Sequence, residues 1–171
     1  MNRWLLRPRV MAGIAIFVFV CIALFQAPWS PAASFHFVQA TGAVPFDERP
    51  GGYTLSGVLQ AFRQLGPHGV ADYMAYRAVD AVFPWALCAL VAAVMLRLGA
   101  ARATMWPWLA AIADTAENAA QFAILARRDD LSPELVQAAS LITQLKFVLY
   151  AIMLAMLLAV GARYLWCQRR H

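Results

Sequence analysis

Four long stretches of this chain carry almost no charge: about residues 10–26, 77–98, 105–126 and 138–166. Each approaches or exceeds the roughly 20 residues a helix needs to cross a ~30 Å hydrocarbon core, and a helix satisfies its own backbone there. Composition agrees. The chain is 63% hydrophobic and 13% charged, against about 25% charged in an average soluble domain. The expected fold class is all-α: an integral membrane four-helix bundle, one domain over residues 1–171, with residues 27–76 as an extracytoplasmic loop.

The distribution of charge orients the bundle. If all four stretches cross, Arg3, Arg7, Arg9, Arg97, Arg102, Arg163, Arg169 and Arg170 fall on one side with no acid among them. The other side mixes bases with acids, from Asp47, Glu48 and Arg49 to Arg127, Arg128, Asp129, Asp130 and Glu134. The positive-inside rule predicts both termini in the cytoplasm, as in a multi-pass protein of the inner (plasma) membrane. These bases serve topology and form no soluble basic face, so nucleic acid is not an expected partner; the lipid bilayer is. The first stretch also fits a signal peptide: arginines, an apolar run, then Ala32-Ala33-Ser34. Cleavage there would leave three spans.

Inside the third stretch, Asp114, Glu117, Asn118 and Gln121 recur at i, i+3, i+4 and i+7 and share one helix face. Ionisable groups in hydrocarbon are costly and usually face a bundle interior or a wet cavity. Counting helix rise puts Glu117 about 13 Å below the outer boundary and Lys146, entering from outside on the fourth stretch, about 12 Å deep. Lys146 is therefore expected to meet Glu117 and Asn118, with Thr143 and Tyr150 on its own side of the helix. Arg77 and Asp80 are placed shallower, about one turn below the outer surface. Together these residues predict a polar pocket that opens outward between helices two, three and four. The alternative is helix glue, since polar side chains also hold transmembrane helices together at roughly 0.6–2 kcal/mol per contact.

The rest of the chain is plainer. Pro28, Pro31, Pro45 and Pro50 predict a non-helical opening to the outer loop. Leu55, Val58, Leu59, Phe62 and Leu65 predict a short amphipathic helix ended by Gly66-Pro67. Helix two is expected to start near Val70 and to kink at Pro84. Ser132-Pro133-Glu134 reads as the start of helix four: an N-cap serine, a proline at the first position and an acid in the first turn. His36 and His68 lack metal-ligand spacing, and no nucleotide-binding or nucleophile motif occurs, so neither a metal nor another cofactor is expected. Cys21, Cys88 and Cys167 form no disulfide framework.

Taken in order, Phe46-Asp47, Gly51-Gly52-Tyr53, Leu65-Gly66 with Gly69 and Tyr73, Asp80 with Pro84, Asp114 with Glu117-Asn118, and Thr143 with Lys146 are the landmarks. Over about residues 45–150 the chain resembles a family of small four-span bacterial membrane proteins marked by a D-x-x-E-N helix followed by a T-x-x-K helix. That family has no assigned activity, so the resemblance implies an architecture and no reaction, cofactor or substrate.

Three functions remain open at this level. The pocket binds or moves a small polar ligand, a lipid headgroup or a proton, with transport requiring an oligomer because no inverted repeat is present. Alternatively, Glu117 or Asp114 acts as general base in an intramembrane enzyme on a lipid-type substrate, with Lys146 as electrophilic stabiliser. Or the polar stripe docks a span of a partner membrane protein.

Overall fold

The computed structural model describes residues 3–169; Arg170, one of the topology signals, lies outside them. Regular structure among the described residues is helical throughout. The α-helices are α1 (Pro8–Gln26), α2 (Ser34–Thr41), α3 (Leu55–Asp80), α4 (Phe83–Arg97), α5 (Met105–Ala126) and α6 (Pro133–Gln168), with short 3₁₀ turns at Arg3–Leu6, Phe46–Glu48 and Ala101–Thr104.

Local chemistry explains most of the boundaries. The α6 N-terminus is capped as its sequence predicts: the Ser132 hydroxyl accepts from the Leu135 N–H at 3.2 Å, and Pro133 follows it. Thr54 caps α3 in the same way, accepting from Gly57 N–H at 3.2 Å. Gly66 (φ 61, ψ −176) breaks α3, and Pro67 opens its second half. That restart lies a turn before the expected Val70, because proline at a first helical position forfeits no hydrogen bond. The first half is amphipathic as expected, burying Val58, Ala61 and Leu65 and exposing Gln60, Arg63 and Gln64.

Two expectations are corrected. The loop opening is not free of helix: α2 forms between Pro31 and Pro45, where no proline interrupts the chain. It ends at Gly42 in the left-handed region (φ 66) and buries Phe37. Helix two is not one kinked rod. It ends at Asp80, and a new helix begins at Phe83 with Pro84 in its first turn, where the missing N–H costs nothing.

Three helical stretches are long and apolar enough to cross a membrane: Pro8–Gln26, Leu55–Arg97 and Pro133–Gln168. Their apolar side chains point outward. Ile16, Phe19 and Ile22 on α1 and Leu141, Leu145, Leu154 and Leu158 on α6 are exposed. A contiguous exposed apolar surface of this kind marks a lipid or protein contact. α5 has the length of a span, but its polar stripe lowers its hydropathy. It sits at the centre, against α6, α4 and α3, while α1 packs on α4 and α2 on α3.

The segment between α2 and α3 folds inward as a lid. Gly52 adopts φ +77 directly over α6, where a Cβ would run into Ser140 Oγ and Gln144 Nε2. The neighbouring Tyr53 N–H donates to Ser140 Oγ at 2.9 Å. Gly52→Ala is therefore expected to destabilise the fold by about 1–3 kcal/mol, through both strain and the lost lid contact. Chemical denaturation in detergent measures it, and a variant as stable as the parent would show that the lid is not seated on α6.

Candidate functional site

At the centre lies Arg77, which no solvent reaches. Its guanidinium touches three carboxylates: Asp47 Oδ2 at 3.0 Å, Asp80 Oδ2 at 3.1 Å and Glu117 Oε2 at 2.8 Å. It also donates to Asn118 Oδ1 at 2.8 Å. The planar fork of arginine can serve several acceptors at once, which an ammonium cannot do from one point. Asp80 lies one turn beyond Arg77 on α3, Glu117 and Asn118 come from α5, and Asp47 comes from the lid.

Glu117 is the second hub. Besides Arg77, its Oε2 has Lys146 Nζ at 3.6 Å, and its Oε1 accepts from Gln121 Nε2 at 3.2 Å and Thr143 Oγ1 at 3.1 Å. The Asn118 amide is oriented by charge on both sides. Its oxygen takes the arginine, and its NH₂ donates to Asp80 Oδ2 and Asp114 Oδ1, each at 3.1 Å. Tyr150 OH donates to Asp114 Oδ2 at 2.8 Å.

The structure thus brings the nine residues singled out from sequence into one network: Arg77, Asp80, Asp114, Glu117, Asn118, Gln121, Thr143, Lys146 and Tyr150. Two details differ from expectation. Arg77, expected near the shallow end of the pocket, is the hub of the network, in contact with Asp47, Asp80 and Glu117. Lys146 does meet Glu117, but Arg77 is the closer counter-ion.

Sequence reasoning missed the lid's contribution. Asp47 is buried, accepts from Tyr76 OH at 2.7 Å, and offers its backbone carbonyl to Lys146 Nζ at 3.0 Å. Tyr53 OH accepts from Gln121 Nε2 at 2.7 Å. Ser140, Tyr73 and Tyr76 complete the support; Tyr73 OH reaches Gln121 Oε1 at 3.4 Å. Tyr73 stands at helical spacing with Arg77, and Asp47 and Tyr53 are among the sequence landmarks, but Asp47 reads as a solvated loop acid until the loop is seen to fold inward. Burial pushes the Tyr53 phenol up to about 12. The Glu48 carboxyl is raised by burial and then by the charge of Asp47 beside it, with the Tyr76 hydrogen bond acting the other way.

A cleft of about 480 Å³ reaches this network. Its rim is aromatic and apolar: Phe25 of α1, Phe83 and Leu87 of α4, and Phe147 of α6. Its floor is polar: Asp47, Glu48, Asp80, Asp114, Lys146, Tyr76 and Tyr150. Four carboxylates share that floor with one amine. Asp80, Asp114 and Glu117 each bring one carboxylate oxygen within 4.8 Å of the others, a grouping with the chemistry to attract a cation. No spacing rule for metal ligands reveals it, since the three acids come from two helices. Comparison with protein-family models, with curated proteins and with solved structures found no match.

Proposed function

We propose that this chain is a multi-pass membrane protein whose central cleft binds a small polar ligand, in particular a lipid headgroup. In this reading α1, the second half of α3 with α4, α5 and α6 make a four-helix bundle in the inner membrane. The Arg97–Arg102 connection and both ends lie on the cytoplasmic side, and the lid lies outside. The likeness to the D-x-x-E-N family belongs to the same proposal.

One observation carries it: an apolar rim drawn from lipid-length helices stands directly over a charged floor. Pockets for small molecules are mostly apolar with a few convergent polar groups. Here the apolar part is placed to receive acyl chains and the polar part to receive a headgroup. Glue alone leaves this unexplained, because contacts between helices do not require a cleft beside the network. Docking of a partner span through the stripe loses support too: Asp114, Glu117, Asn118 and Gln121 are all buried within the chain.

The test uses delipidated full-length protein in detergent and a total bacterial membrane-lipid extract. Lipid at about a hundredfold excess over its Kd is expected to raise Tm by about 5 °C or more. Leu87→Trp fills the mouth without touching the floor and is expected to abolish that rise while leaving the lipid-free Tm nearly unchanged. If the variant responds like wild type, the cleft is not the lipid site.

A further inference from the structure

The chain stays uncharged well beyond the end of α1. From Val10 to Phe46 it contains no Asp, Glu, Lys or Arg. α1 ends at Gln26, so residues 27–46 extend the uncharged run past the span. A water-exposed stretch of that length would carry about five charged residues at the frequency of soluble domains.

The surface of this stretch is apolar as well. Trp29 is 80% exposed, and Phe35, Val38 and Val44 are exposed too. Phe35 and Val38 stand three residues apart on α2 and share a face. Phe37 is buried instead, its ring 5.3 Å from Phe46 and 4.9 Å from Tyr73. The polar groups are turned inward. Ser30 is buried, and its hydroxyl accepts from the Ala32 N–H at 3.2 Å. His36 Nε2 lies 3.1 Å from the Ser30 carbonyl, and the Thr41 hydroxyl donates to the Phe37 carbonyl at 2.8 Å. From Ser30 to Thr41 the one fully exposed polar side chain is Gln39. The first half of α3 is built the opposite way. It exposes Gln60, Arg63 and Gln64 and buries Val58, Ala61 and Leu65, the pattern of a water-facing helix.

An uncharged segment that hides its polar groups and shows tryptophan and phenylalanine fits the boundary between hydrocarbon and water. Tryptophan is enriched there, and helices lying in that plane bury an apolar face roughly 5–10 Å deep. α2 has 8 residues, so it is about 12 Å long and cannot cross a ~30 Å core. It begins at Ser34, close behind α1, and packs against it, which keeps it beside the end of a span.

We infer that residues 29–44 form an interfacial membrane anchor, with Trp29, Phe35 and Val38 inserted among the lipids of the outer leaflet. The partner of this surface is the bilayer itself. The inference rests on α1 being a membrane span and is independent of what the cleft binds. Through Phe37 the anchor also holds Phe46, and with it the lid, at the level of the lipid headgroups.

The test places a nitroxide at single positions of the full chain in vesicles of phosphatidylethanolamine and phosphatidylglycerol. Cys167, the exposed native thiol, is replaced by serine; Cys21 and Cys88 are buried, out of the label's reach. Labels go on Phe35→Cys and Val38→Cys, on Ile16→Cys of α1 as the lipid reference, and on Gln60→Cys of α3 as the water reference. These side chains are all exposed, so the labels displace no packing. Collision with oxygen, which partitions into lipid, is compared with collision with a water-soluble nickel chelate. At positions 35 and 38 oxygen is expected to exceed nickel several-fold, as at position 16, with the reverse at position 60. Nickel dominating at 35 and 38, as at 60, overturns the anchor and puts this face in water. Neither reagent reaching 35 and 38 overturns it in favour of a protein partner or a second copy. Nickel dominating at 16 as well overturns both the anchor and the span on which it rests.

Discussion

Arg77→Met is expected to cost about 3–5 kcal/mol and to leave little folded protein in mild detergent. Removing one partner of a buried charge network strands the others, and the loss is of this order. Here the stranded groups are Asp47, Asp80 and Glu117, each within 3.1 Å of the guanidinium, and the Asn118 oxygen that it orients. The side chain is wholly buried, so water cannot replace it. Arg77→Lys is expected to recover only part of the loss, because one ammonium cannot reach three carboxylates and an amide from one point. Thermal unfolding of both variants beside wild type, followed by size-exclusion chromatography, provides the measurement. An Arg77→Met variant within about 1 kcal/mol of wild type, the range of an ordinary substitution, would show that the network does not hold the bundle together.

Phe46→Ala is expected to cost a similar amount, about 3–5 kcal/mol, for an apolar reason. Phe46 is fully buried at the meeting point of α2, α3 and the lid. Its ring lies 5.3 Å from Phe37, 5.1 Å from Tyr53, 5.9 Å from Tyr73 and 6.1 Å from Phe62, with the Arg49 guanidinium 4.8 Å from its centre. Deleting it opens a cavity where the lid is anchored. Because Asp47 is the next residue, the change is expected to loosen the lid's grip on Arg77 and Lys146 as well. Proteolysis of the Thr41–Thr54 segment should accelerate before global unfolding; cleavage no faster than in wild type would show that the lid is held by other contacts. Phe46→Leu keeps most of the volume and is expected to retain most of the stability.

Much of this arrangement was legible along single helices. The boundaries of α5 and the start of α6 follow from apolar run length and from Ser132-Pro133-Glu134. The inward face of α5 follows from the spacing of Asp114, Glu117, Asn118 and Gln121, because a helix turns by a fixed angle and buried charge is costly. The encounter of Lys146 with Glu117 follows from counting rise along two antiparallel helices. These inferences succeed because each depends only on periodicity or on the cost of desolvation, both local properties of the chain.

What depended on tertiary structure has a different physical origin. Neither period nor propensity specifies where an irregular segment goes, so the inward fold of residues 46–53 and the burial of Asp47 were invisible. Proline spacing alone hid α2, whose formation depends on burying Phe37 against Tyr73 and Phe46. The expectation of one kinked helix through Pro84 missed the break after Asp80, which lets α3 and α4 pack as separate helices. The sequence by itself determined that the chain is helical, that its apolar faces turn outward and that α5 carries a polar interior stripe. Only the tertiary structure decided that Arg77 is the main counter-ion and that a lid acid completes its shell. It also decided that an apolar cleft ends on a charged floor, since those facts depend on distances between segments that no local rule connects.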